Sequence, residues 1–374
     1  MSHPDPDTSA TPPEAPGTGQ AQAPAPSSPD AEEAAPPPRA PTPVLHHPAL
    51  YGALGLWLLL AWWLFPPPPP EQSPDRPVKP RHGLLESVLG DGDELGLRKA
   101  LVIFPPLIVG CGLLIGYIVL RSYDIRVFPR CDFPAVPWTA WHLLRCGVLF
   151  LVVQRVLLFG MVGLAHMKVS RGWLARVPSV IVQVLESNVL MAVICGLVIA
   201  LVAAGGTKPL AALGLRERCP VRRAALGGVA YVMTIPLSFL AGILTYLVAW
   251  MFRLQLQPQP VLMDAQPLSS SAFLVFAFSA VVVAPATEEF LFRGFLYATL
   301  RRYLGPMGAI CLSAAAFAAA HAFASGFLPL FVIGFLLAYL YERTGSLVAS
   351  IAAHALHNFY GLLLLRLLHP PGFL

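Results

Sequence analysis

Charge is the scarcest property of this 374-residue sequence. Asp, Glu, Lys and Arg make up 12% of it, about half the roughly 25% of a soluble globular domain. So few charges cannot cover a water-exposed surface, which argues against an ordinary soluble enzyme. The net charge of +5 and pI near 9.0 require no polyanionic partner, because Lys and Arg beside membrane spans have a reason of their own. Nucleic acid is therefore not an expected partner. Paired metal spacings are missing too. No C-x-x-C and no H-E-x-x-H occurs, and six cysteines (Cys111, Cys131, Cys146, Cys195, Cys219, Cys311) read as small apolar thiols buried in apolar runs. The long apolar runs also lack the alternation of a membrane barrel. What the chain does have is apolar residues, 56% of the total, and a mean hydropathy of +0.65.

That composition predicts an all-α fold, a polytopic membrane bundle of eight or nine transmembrane helices. Residues 1–47 are rich in Pro and Ala and cannot bury enough apolar surface to offset the entropy of ordering. They read as a disordered tail, and without a basic n-region they are not expected to be a signal peptide. Residues 48–205 read as N-terminal transmembrane helices with a Pro-rich loop at 66–80, and 206–374 as the core. At about 20 apolar residues per span, the candidates are 48–65, 101–120, 141–166, 180–204, 224–250, 271–303, 306–323, 327–341 and 346–368. The first carries the interfacial aromatics Trp57, Trp62 and Trp63. The segment 327–341 is short and reads as tilted or partly re-entrant. The expected location is a multi-pass protein of the plasma (inner) membrane.

An ionisable side chain inside a span costs roughly 2.5–3.5 kcal/mol, and the C-terminal third concentrates such residues. Glu288, Glu289 and Arg293 follow Pro285, where a helix is expected to break and restart with Thr287 as its cap. Glu289 and Arg293 stand four apart and can pair. Glu288 points about 100° away, placed to act as a general base toward water. His321 lies in a stretch rich in small residues, Ala314–Ala316 and Ala318–Ala320, which lets helices approach closely. His354 and Asn358 share a helix face. Together they suit an oxyanion hole, or metal ligation by His354 with Asn358 behind it. His357 is one turn from His354. Each group alone also fits a purely structural role: an ion-pair trio, a histidine bonded to a carbonyl, an interhelical clamp. On three helices of one bundle, all are expected to face one polar cavity. A base, an imidazole and paired donors in one cavity suit hydrolysis of an acyl bond, most naturally a peptide bond. Farther upstream, Glu186 and Asn188 lie in one span and Arg145 and Arg155 in another; a Glu186–Arg pair is the expectation there.

In order, the three groups read Glu288-Glu289…Arg293, Phe317…His321 and His354…Asn358. This pattern resembles the CPBP intramembrane protease family, which includes the type II CAAX prenyl endopeptidases and the bacterial abortive infection proteins. Leu213-Gly214-Leu215-Arg216 also resembles an upstream segment of bacterial members. The resemblance covers roughly 210–368. It implies a membrane-embedded endopeptidase acting on a membrane-associated protein or peptide. In it Glu288 deprotonates water, His321 holds that water or assists, His354 and Asn358 stabilise the oxyanion, and Glu289 and Arg293 organise the site. No cofactor is required by this reading. A divalent metal such as zinc stays open, since Glu288, His321 and His354 would complete a three-ligand set; metal-free catalysis is preferred. Prenyl-CAAX processing is not implied automatically.

Two rivals remain. A rhomboid-like serine protease would use Ser325 with His354, yet Phe323-Ala324-Ser325-Gly326 lacks the glycine expected two residues before the serine. A non-catalytic membrane scaffold or immunity-type protein would keep the polar cluster for packing alone.

Overall fold

The computed structural model describes residues 94–368, except 126, 129–132, 134–135, 167–176, 205–211, 216–218, 257–258, 266 and 322–323, together with Gly52. The tail at 1–47, the segment 48–65 apart from Gly52, the loop at 66–80, Cys131, Arg216 and Phe323 lie outside the described residues. Among the described residues there is no strand, as expected where every backbone polar group must be satisfied away from water.

The helices are α1 (Glu94–Ser122), α2 (Ala140–His166), α3 (Ser179–Ala204), α4 (Pro220–Met251) and the short α5 (Pro260–Ala265). A continuous helical stretch follows. It comprises α6 (Ser270–Phe278), a π-helical turn π1 (Ser279–Val283), α7 (Ala284–Glu289), a second π segment π2 (Phe290–Tyr297) and α8 (Ala298–Ala320). α9 (Phe327–Thr344) and α10 (Leu347–Leu368) complete the chain. Seven helices are long and apolar enough to cross a membrane, counting Ser270–Ala320 as one. Leu101, Ile108, Leu240 and Leu274 are all exposed, as lipid-facing side chains would be. The chain is thus an integral, multi-pass membrane protein.

The 51-residue stretch is not straight. At Gly305 the backbone takes φ 68°, ψ 178°, a conformation that a side chain disfavours. Beyond it the chain doubles back, because Ser313 Oγ donates to the carbonyl of Phe292 at 3.2 Å. In an unbroken helix those residues would stand about 31 Å apart. The stretch is therefore a hairpin with an outgoing arm (270–304) and a returning arm (306–320). This gives eight apolar segments among the described residues, within the eight or nine expected. The segment expected to be tilted or re-entrant is an unbroken helix of 18 residues, about 27 Å long, close to the thickness of a hydrocarbon core.

Close approach rather than apolar bulk holds this bundle together, since lipid tails are as apolar as leucine. α4 packs on α10, α9 and α1, and α8 packs on α9. At Gly227 of α4 an added Cβ would strike the carbonyl oxygen of Ala349 on α10. At Gly110 of α1 it would strike the carbonyl of Val232 on α4. The Leu213–Leu215 loop wedges beside the hairpin. Gly214 has φ +72°, its carbonyl accepts from Leu347 N–H at 3.2 Å, and Leu213 lies against Gly294 of π2. The upstream segment noted in the sequence thus braces the outgoing arm.

The cysteines depart from expectation. Cys146 is buried and Cys195 half-buried, but Cys111, Cys219 and Cys311 are exposed. A thiol is apolar enough to face lipid as readily as protein.

Gly227→Ala should cost about 1–3 kcal/mol by forcing α4 from α10. The thermal unfolding midpoint of the detergent-solubilised protein should fall; an unchanged midpoint would show that the two helices separate freely.

Candidate active site

The outgoing arm carries Glu288 and Glu289 at the end of α7 and Arg293 in π2. No break occurs at Pro285. The helix runs through it, and Thr287, expected as a cap, turns its hydroxyl back to the carbonyls of Val283 (2.9 Å) and Ala284 (3.1 Å). The π turn explains the continuity. Ala284 N–H donates to Ser279 O, five residues back. The next donor in that register would be residue 285, which as proline has none, so the carbonyl of Ala280 is left over. Asn358 of α10 fills the gap, its Nδ2 donating to Ala280 O at 2.7 Å.

Glu289 and Arg293 are both fully buried. Arg293 Nη1 donates to Glu289 Oε1 at 2.8 Å, at the spacing noted in the sequence. Arg293 Nη2 donates to the carbonyl of Gly334 on α9 at 3.1 Å. Its guanidinium lies 4.5 Å from the centre of the Phe317 ring, a cation–π contact. On the other side of Glu289, His354 Nδ1 stands 2.9 Å from the same Oε1. A carboxylate oxygen only accepts, so Nδ1 carries the proton and Nε2 is left for other use. Nε2 faces Glu288 Oε2 at 3.9 Å, beyond hydrogen-bond range. Glu288 Oε2, Glu289 Oε2 and Arg293 Nε are buried with no hydrogen-bond partner among the described residues. Buried polar atoms are normally satisfied, so three orphans in one cluster single it out.

His321 ends the returning arm. Its Nδ1 donates to Phe317 O at 2.8 Å, which leaves Nε2 as the free nitrogen. The Phe317 ring is the hub between the two histidines. Its centre lies 4.7 Å from that of His321 and 5.5 Å from that of His354, edge to face in both cases. It also meets Phe292 across the hairpin at 5.4 Å. Glu288 lies four residues before Phe292, and His321 four residues after Phe317. One turn along each antiparallel arm from that ring contact therefore brings Glu288 and His321 to the same level.

The expected residues are thus gathered from the outgoing arm, the returning arm and α10. His354 and Asn358 each spend one hydrogen bond on a separate acceptor, Glu289 Oε1 and Ala280 O. A buried carboxylate and an orphaned carbonyl each claim a donor. His357 packs its ring edge-on to Tyr231 of α4 at 5.7 Å.

No group of three His, Cys, Asp or Glu among the described residues is arranged to hold a metal ion.

Asn188 shares its apolar span with Glu186. Asn188 of α3 in fact reaches the π turn: its Nδ2 donates to Ser279 Oγ at 2.7 Å, and its Oδ1 lies 3.0 Å from the same hydroxyl. The signal was there, a carboxamide in an apolar span, but nothing in one sequence names its partner. Phe317 was visible only as a letter of the motif.

Arg293→Met should cost about 3–5 kcal/mol, because it strands a buried charge. Glu289→Gln in the same chain should recover part of that loss. Unfolding midpoints of the single and double variants check both statements.

No curated protein and no solved structure matches the chain. The segment that carries all three motifs, residues 270–360, matches the family model described as Type II CAAX prenyl endopeptidase Rce1-like.

Proposed function

We infer that the protein is an intramembrane endopeptidase that hydrolyses a peptide bond of a membrane-associated protein or peptide with water activated by Glu288. The observation that carries this reading is the division of labour between adjacent carboxylates. Glu289 binds both Arg293 and His354 through Oε1. Glu288 keeps an oxygen without a hydrogen-bond partner among the described residues, 3.9 Å from an imidazole nitrogen. An ion-paired carboxylate is spoken for; its neighbour is free to take a proton.

In this mechanism Glu288 accepts a proton from water as the hydroxide oxygen adds to the scissile carbonyl carbon. His321 Nε2, level with Glu288 across the hairpin, accepts a hydrogen bond from the same water and orients it. The carbonyl oxygen gains negative charge, and the second N–H of Asn358 and, in its imidazolium form, the Nε2–H of His354 are the donors left to meet it. Glu288 then returns the proton to the amide nitrogen as the C–N bond breaks, releasing a carboxylate and an amine. Glu289 and Arg293 hold His354 and the arm bearing Glu288 in place. The substrate reaches the site from the bilayer, and the plasma (inner) membrane is the compartment we assign. The match to a family described as prenyl endopeptidases makes peptides with a lipidated C-terminus one substrate class to test, alongside unmodified membrane peptides.

Comparing membrane proteomes of cells carrying wild type or Glu288→Gln tests the reading. The variant should accumulate to the normal level, while full-length forms of the substrates build up. Unchanged cleavage with Glu288→Gln would overturn it in favour of a scaffold. Loss of cleavage in Ser325→Ala with Glu288→Gln active would favour a serine protease.

A further inference from the structure

We propose that Asn188, on α3 and outside the matched segment 270–360, is a positioning residue that aims Glu288 by locking the π turn at Ser279–Val283.

A π turn inserts one extra residue into a helix, so everything beyond it is rotated by about 100° relative to an uninterrupted α-helix. π1 lies five residues before Glu288. Its presence decides whether Glu288 or a neighbouring position faces His354. A π turn is a poorer hydrogen-bonding arrangement than the α-helix, so it needs outside support. Two contacts supply it, from two different helices. Asn358 of α10 takes the carbonyl of Ala280, which Pro285 leaves without a backbone donor. Asn188 of α3 holds the buried hydroxyl of Ser279, the first residue of the turn, by donating from Nδ2 and standing within reach through Oδ1. Both polar atoms of one carboxamide on one hydroxyl fix its rotamer. They also pin the turn to α3, a helix that contributes nothing to the ionisable cluster. A third contact runs the same way: Cys195 of α3 places its Sγ 3.8 Å from the carbonyl of Thr287, the residue just before Glu288.

If the Asn188–Ser279 pair is removed, the turn can relax to α-helical register and Glu288 swings toward the neighbouring helices and lipid. The positional claim stands on geometry alone; its catalytic consequence rests on the reading of Glu288 as the base.

The test reads Glu288 directly in the full-length, membrane-embedded protein. Dicyclohexylcarbodiimide, a lipophilic reagent for carboxyl groups, is applied at fixed pH, and modification of Glu288 is followed by peptide mass spectrometry. Asn188→Ala and Ser279→Ala should each raise the modification rate of Glu288 by about tenfold, equivalent to about 1.4 kcal/mol. The double variant should react no faster than either single variant, because both remove the same clamp. Both singles should cut substrate cleavage while keeping normal abundance. Ser279→Ala deletes only a hydroxyl, so it decides the matter should Asn188→Ala fail to accumulate. A wild-type modification rate in Ser279→Ala, or strictly additive effects in the double variant, overturns the proposal. If Glu288→Gln retains cleavage, the catalytic reading fails, and the modification rates still decide whether Asn188 aims this side chain.

Discussion

The fully buried pair of Glu289 and Arg293 sets the terms for the rest of the molecule. Two opposite charges taken out of water are tolerable only if their remaining hydrogen-bonding capacity is met nearby. Arg293 therefore reaches the backbone of α9 at Gly334 and lies on the ring of Phe317, and Glu289 also engages His354 of α10. One ion pair thus ties both hairpin arms, α9 and α10 to a single point. Gly334 is part of the same constraint, since a Cβ there would stand 3.1 Å from the Cα of Ala314. The small residues of the returning arm allow the helices close enough for a guanidinium to find a carbonyl.

A second polar node lies lower on the outgoing arm. The trio of Tyr297, Arg301 and Glu342 joins that arm to α9. Arg301 donates from Nε and Nη2 to the two oxygens of Glu342 at 2.7 and 3.0 Å, and the Tyr297 hydroxyl adds a third bond at 2.6 Å. Here every carboxylate oxygen is used. The contrast with Glu288 and Glu289, each with an orphaned oxygen, separates a saturated brace from a group of side chains with unspent capacity. Saturation distinguishes the two clusters better than charge does, since both are acid–base mixtures that include the outgoing arm.

Much of this was legible in the sequence. Apolar run length and the shortage of charge are enough for a helical membrane bundle. The four-residue spacing of Glu289 and Arg293 is enough for their pairing, because helical geometry is local. The hairpin at Gly305 was visible as two separate apolar segments. Relations that depend on tertiary contact were not legible. Nothing local says that Asn358 would be diverted to a carbonyl, or that Asn188 would find Ser279 ninety-one residues away. Pro285 misled for a physical reason. Proline normally ends a helix because it removes one donor and crowds one carbonyl, but a π turn just ahead of it moves the crowding and lets a side chain from another helix supply the missing hydrogen.

That substitution has an evolutionary corollary. A homologous chain with an ordinary amide at the position of Pro285 would satisfy the Ala280 oxygen along its own backbone and release the carboxamide of α10 from that duty. The imino acid and the distant asparagine are then two halves of one device, and their identities should covary across descendants of this fold even though they lie seventy-three positions apart.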